Sequence, residues 1–242
     1  RQQRNEQFLY IEKQKRSFER QKCGIISVDG KKKEYIGNFK NNGACWLKEQ
    51  KNVNAYDYPS WAEGVGIPYG IYDSILNQGT VIIGTSCNTP EFAVHSIKKW
   101  WKNTGYKHYE KVKKILILAD GGGSNGWRSR YWKYGLQHEI CNQYGIEVSV
   151  SHYPTGTSKY NPIEHRLFCH ISKNWEGQPL INYETMLNYI STTTTNNGLT
   201  VCAMLDDIIY EKGLKVSDMQ LNNLKIIEHN VIPKWNYTIK PL

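Results

Sequence analysis

Several features that mark common protein classes are missing from this sequence. Its six cysteines stand at 23, 45, 87, 141, 169 and 202, no two closer than 22 positions, so the CxxC knuckle of zinc sites is absent and buried free thiols are expected. No apolar run approaches the ~20 residues of a membrane-spanning helix, and the opening RQQRNEQFLY lacks a signal-peptide core. A cytoplasmic chain with no membrane partner is the expectation. No Gly-Lys-Ser/Thr follows the glycine-rich stretch, which excludes a P-loop, and neither repeats nor low-complexity linkers occur. The first residue is Arg rather than Met, from which a piece of a longer protein with a module upstream is expected.

Basic and aromatic side chains are plentiful. The chain has 31 Lys and Arg against 22 Asp and Glu, a formal charge of +9, which favours a polyanionic partner such as nucleic acid over an acidic small molecule. Its 17 Tyr and 8 Trp supply flat rings that either pack a core or stack on bases. At 242 residues the chain fits one large α/β domain with elaborations.

Residues 1–23 read as a basic amphipathic leading helix or linker, with Phe8, Ile11, Lys15 and Phe18 at helical spacing. GIISVD at 24–29 is an apolar, β-branched run that stops on an acid, the pattern of a buried strand delivering Asp29 at its end. A Lys-, Asn- and Gly-rich stretch follows, read as a hairpin and then an insertion at about 38–64. Strands at 67–73 and 80–85 flank a turn at Asn77 to Gly79, and Pro90 opens a helix through EFAVHSIKKWWKN. KKILILAD is a second apolar strand ending in an acid, Asp120. After GGGSNG a helix of roughly 126–143, opened by Asn125 and Gly126, leads to the strand IEVSV. Asn161 as cap and Pro162 in the first turn then start a helix that carries Glu164. Residues 177–242 are expected to be a C-terminal helical elaboration of the same domain, with a helix near 182–192.

The order strand-Asp, two strands, helix, strand-Asp, helix, strand, helix-Glu predicts an α/β fold over 24–176, a ribonuclease H-like mixed five-stranded sheet flanked by helices. In such a sheet the first and fourth strands are neighbours. Asp29 and Asp120 would then lie side by side, with Glu164 completing a cluster of carboxylates that is unstable without cations. Phosphodiester chemistry uses that arrangement, because two ions roughly 4 Å apart activate the attacking oxygen and stabilise the leaving one. The expected cofactor is Mg2+ or Mn2+, two ions per site, held by Asp29, Asp120 and Glu164. Taken singly the acids say less. Asp29 or Asp120 could cap a turn, and Asn161-Pro162-Ile163-Glu164 fits a capping box in which Glu bonds back to the cap residue. Their joint position in one topological series favours catalysis.

Other readings compete for the same segments. GGGSNG at 121–126 satisfies the dinucleotide-binding fingerprint of an oxidoreductase. Against it, Asp120 abuts the glycines and Glu147 falls at the start rather than the end of the next strand. His165 and His170, five apart, would point about 140° from each other on a helix, which disfavours a zinc pair. Seven Lys and one Glu between 98 and 114 either hold phosphate backbone or solvate a helix face.

The ordered blocks SVDGKKKEYIGNFKNNG, IPYGIYD, EFAVHSIKKWW, LADGGGSNG, HYPTGTSKYNPIEHRLF and WNYTI, from about residue 8 onward, resemble the Rhodopirellula-type DDE transposases of bacterial insertion sequences. NPIE is also similar to the third-acid motif of mariner-like transposases. The resemblance implies Mg2+-dependent DNA cleavage at element ends followed by strand transfer into target DNA, with the motif acids on Asp29, Asp120 and Glu164. It also implies a homo-oligomer assembled on DNA in the bacterial cytoplasm. Candidate DNA contacts are Lys31, Lys32, Lys33, Asn125, Lys159, Asn161, His165 and Arg166. One block departs from the family pattern: where relatives read GTDHDT this chain reads GTSCNT, with Ser86, Cys87 and Asn88. A catalytically idle, domesticated DNA-binding protein of the same fold is the alternative, and three intact acids argue against it.

Overall fold

A computed structural model describes residues 2–242. GIISVDG forms β1 (Gly24–Gly30). After it, β2 (Glu34–Ile36) pairs antiparallel with the first residues of β3 (Gly64–Asp73), not with β1. The expected hairpin after Gly30 is thus corrected. Ten-residue β3 is long enough for β1 and β2 to lie end to end along one edge, and Lys31 N–H donating to Pro68 O (2.8 Å) bridges the step between them. β3 and β4 (Gln78–Gly84) form the antiparallel pair expected, turned by Asn77 at φ 52°, a left-handed conformation that Asn tolerates. Asp73, buried at the end of β3, accepts hydrogen bonds from the Ile75 and Leu76 N–H groups and the Tyr109 hydroxyl, which accounts for its burial.

β5 (Lys114–Ala119) and β6 (Glu147–His152) add two parallel strands beside β1. The near-continuous apolar run of β5 reflects burial on both faces, and β6 is buried too although its valines alternate with Ser149 and Ser151. β4-β3-β1-β5-β6 is the five-stranded core expected from sequence. The C-terminal segment enlarges it: β7 (Thr200–Asp206) runs parallel to β4 at one edge, and β9 (Asn236–Ile239) runs antiparallel to β6 at the other, with β8 (Ile226–Glu228) outside it. The sheet has nine strands in the order β7-β4-β3-β1-β5-β6-β9-β8, with β2 off this path. Residues 177–242 are therefore not purely helical. NYTI is too short for its alternation to register locally, and pairing with β6 makes it a strand.

Helices cover both faces. α1 (Gln2–Arg20) buries Gln7, Ile11 and Phe18, with Phe18 and Ile11 in one apolar cluster with Ile25 of β1 and Leu116 and Leu118 of β5. α2 (Pro90–Trp100) is capped by Thr89, whose hydroxyl accepts from Phe92 N–H (3.2 Å), and runs through a π-helical turn, Trp101–Gly105, into α3 (Tyr106–Tyr109). In the basic block that begins in the last turn of α2, Lys98 pairs with Glu139 and Lys99 with buried Asp206 (2.9 Å), so these two are structural.

The helix expected from Gly126 begins later. Gly123–Asn125 is a 3-10 turn, Gly126 is extended, and α4 (Arg130–Gly135) starts only where the Ser129 hydroxyl accepts from Trp132 N–H (3.2 Å), a stronger cap than Asn125 or Gly126 provides. It continues as a π-helical segment, Leu136–Asn142. The opposite face carries the helix begun at Pro162, whose segment Glu164–Phe168 is π-helical and leads into α5 (Cys169–Asn174), followed by α6 (Tyr183–Ser191). Near the C-terminus α7 (Asp218–Asn222) lies against α4, with Asp218 paired to Arg130. No described helix is long and apolar enough to cross a membrane.

Candidate active site

The first two acids are set by strand pairing. The parallel register of β1 and β5 ends with Val28 opposite Ala119, so Asp29 and Asp120 each follow the last pair and leave neighbouring strands at the same end of the sheet. Asp29 is held by Gly30 N–H, which donates to its Oδ1 at 2.8 Å. Across the sheet Asp29 faces Gly70 of β3.

Glu164 arrives from above. A Cβ on Gly70 would stand 2.5 Å from the Phe168 ring and 2.9 Å from Ile163, and one on Gly79 would stand 2.4 Å from Leu167. These two glycines let the Pro162–Asn174 helix seat its buried face, Ile163, Leu167, Phe168 and Ile171, directly on the strands. Its first turn then overlooks Asp29 and Asp120. The π-helical stretch beginning at Glu164 is a form that concentrates at functional sites.

Asn161 locks the three parts together. It is fully buried, and its Nδ2 donates to Asp120 Oδ1 at 3.1 Å and reaches Val28 O at 3.5 Å. The expected capping box is corrected by this contact. The Asn161 side chain spans β1 and β5 and does not cap its own helix, and the Glu164 N–H bonds to the Asn161 backbone carbonyl. Asn161 Oδ1 is buried without a partner.

The electrostatics follow from this gathering. Burial first, then the charges of Asp120 and Glu164, push Asp29 up to about 7, against the pull of Gly30 N–H. Burial likewise raises Asp120, opposed by the Asn161 hydrogen bond. Glu164 is raised by burial and by Asp120, and lowered by Lys31 and His165. The donor set is three carboxylates, which suits a hard divalent cation. Among the described residues no group of three or more His, Cys, Asp or Glu side chains is gathered closely enough to hold a metal ion, so the three carboxylates would have to draw together around a cation.

A model of the family described as Rhodopirellula transposase DDE domain matches residues 1–241. The chain belongs to that family. The fold agrees: a Mos1 transposase paired-end complex with left transposon end aligns at TM-score 0.52 and 12% identity over 77% of this chain and 52% of that one. A pre-cleavage Mos1 transpososome aligns at TM-score 0.51 and 11% identity over 78% and 54%. These likenesses show a ribonuclease H-like fold, and the chain spans about half the length of the Mos1 chains it matches. No curated protein sequence matches it.

In this DDE transposase domain the remaining candidate residues divide. Lys31, Lys32, Lys159 and His165 line one cleft with Glu164. Lys31 lies over the Trp175 ring at 5.2 Å, and His165 Nε2 meets the Lys159 carbonyl. Lys33 instead lies over Tyr35 in a neighbouring recess. Arg166 points to a groove on the other side of its helix with Lys15, Asn77 and His170. Asn125 is buried in the 3-10 turn, its Nδ2 without a partner. Because no helix starts at the glycines of GGGSNG, the dinucleotide fingerprint lacks the N-terminus that would cradle a pyrophosphate.

Two groups had no site role in the sequence reading. Asn88, in the segment that departs from the family pattern, approaches Gly30, whose Cβ would stand 2.7 Å from the Asn88 Nδ2. Beside it, the Ser86 hydroxyl donates to Ile208 O and accepts from Tyr210 N–H. His152, at the end of β6, supports Asp120 from behind: its Nδ1 donates to the Asp120 carbonyl (3.1 Å), its Nε2 accepts from Tyr237 Oη (3.2 Å), and Trp132 Nε1 donates to the same oxygen (3.0 Å). Burial pulls His152 down to about 4, so the imidazole is neutral and cannot serve as a proton donor near pH 7. The WNYTI block is thereby explained as support for the second acid's strand.

Proposed function

We propose that this domain cleaves phosphodiester bonds at the ends of a DNA element and joins the freed 3′-hydroxyl to target DNA, with Asp29, Asp120 and Glu164 holding two Mg2+ or Mn2+ ions. The observation that carries the reading is the issue of Asp29 and Asp120 from adjacent strand ends beneath Glu164, close enough that the charges of Asp120 and Glu164 raise the pKa of Asp29 and that of Asp120 raises Glu164. Bound there, divalent cations supply Lewis acidity and neutralise charge on the attacking and leaving oxygens. Asp29 and Asp120 would hold both ions and Glu164 one of them.

The chain's other residues set up the substrate. Lys31, Lys32 and Lys159 meet the phosphates on either side of the scissile bond, and His165 borders the same cleft. Asn161 fixes the Asp120 carboxylate by donating to its Oδ1, which leaves the second oxygen for a cation. Residues 24–176 are the catalytic unit in this reading and 177–242 an elaboration of it. The domain works as a homo-oligomer on paired element ends in the bacterial cytoplasm. A pre-cleaved element end carrying a 3′-hydroxyl, mixed with target plasmid, full-length protein and Mn2+, tests the joining step: integration that disappears in Glu164→Gln supports the reading, and integration unaffected by that change would overturn it.

A further inference from the structure

Beside the active-site cleft lies a second recess, and Lys32 lines both. Its walls carry Tyr35 and Phe39, ring centroids 5.9 Å apart and tilted by 47°. Lys33 sits 5.7 Å over the Tyr35 ring, and Lys40 stands at the rim. Two carboxylates, Glu34 and Asp57, face the same space. Immediately outside, Tyr58 and Trp61 are half exposed and packed edge to face at 4.7 Å. A recess built only for inorganic anions has no use for carboxylates or for aromatic walls. A nucleotide uses all three chemistries: ammonium groups for phosphate, a ring face for the base, and carboxylate acceptors for an exocyclic amine. Bases in a duplex have both faces covered by their neighbours, so only a nucleotide out of the stack can enter.

We propose that this recess binds an unpaired nucleotide of the DNA strand passing through the active-site cleft, its base on Tyr35 in place of the Lys33 ammonium and its phosphates on Lys32, Lys33 and Lys40. The inference rests on the proposed action on DNA, and its test needs no catalysis. Fluorescence anisotropy of a short fluorescein-labelled oligo-dC strand and of a duplex of equal length, without divalent metal, reads the two affinities on the full chain. Tyr35→Leu is expected to weaken single-strand binding about tenfold while leaving duplex binding unchanged, and Tyr35→Phe to retain both. Lys40→Gln, at an exposed position, covers the case in which Tyr35→Leu fails to fold: it should weaken single-strand binding more than duplex binding. Unchanged single-strand affinity in the folded variants, or equal loss for strand and duplex, would overturn the proposal. Absence of metal-dependent cleavage by the unsubstituted protein with strand discrimination retained would count against the proposed function and not against the recess.

Discussion

Asn161 is the residue on which the geometry of the acids turns. Its amide holds the Asp120 carboxylate and touches the carbonyl of Val28, the residue before Asp29. Asn161→Ala should lower Mn2+ affinity by about 10–100-fold, the usual effect of removing a group that orients a metal ligand, which calorimetric titration would read directly. Retained affinity would show that Asp120 needs no such hold. Asp29 yields a pH dependence. Its folded-state pKa of about 7 exceeds its ordinary value, so its contribution favours the folded state at low pH and is lost as pH rises through about 7 when no cation is present. A cation in the proton's place offsets that loss. The gain in thermal stability from Mn2+ should therefore grow with pH up to and past about 7, and a pH-independent gain would contradict it. His152 works in the opposite sense: with its pKa depressed to about 4, the stability it contributes is present above its ordinary value and lost as pH falls from about 6.5 to about 4.

At the scale of elements, the seating of the Glu164 helix on glycines is the decisive contact. Gly70→Val drives a side chain into the Phe168 ring and Ile163; overpacking of this kind costs about 1–3 kcal/mol. Denaturant unfolding should show that loss, and cleavage should fall further than stability because Glu164 is lifted from Asp29 and Asp120. What the sequence revealed of these elements follows from their environment. β1 and β5 were legible because interior parallel strands must be apolar throughout, so an acid at each end stood out. The Pro162 helix start was legible from local chemistry. Asn161's real partner was not, because a side chain that would cap locally had a carboxylate on a distant strand available instead. The start of α4 was misplaced for the same kind of reason: glycines resemble a helix entrance, while the cap itself sits at Ser129. β7 and β9 escaped notice because short strands are made by their pairing partners rather than by their own pattern.

Across the whole molecule, α1 is bound into the sheet through a buried polar contact as well as through apolar packing. Gln7 Nε2 donates to the His152 carbonyl (2.8 Å) and to Asn236 Oδ1 (2.9 Å), while its Oε1 accepts from Asn236 Nδ2 (2.7 Å). The first helix, the end of β6 and the last strand meet at that point. Gln7→Ala leaves buried partners unsatisfied and should cost about 1–3 kcal/mol, and a double-mutant cycle with Asn236→Ala should show coupling; additive losses would contradict the contact. The net charge of +9 and the lysine-lined cleft fit the same polyanionic partner. The most direct test of the central claim is cleavage of the cognate element end by the full-length protein in Mg2+ or Mn2+, with Asp120→Asn alongside. Cleavage that requires both the metal and Asp120 is the predicted result; DNA binding without metal-dependent cleavage, or cleavage that survives Asp120→Asn, would contradict it.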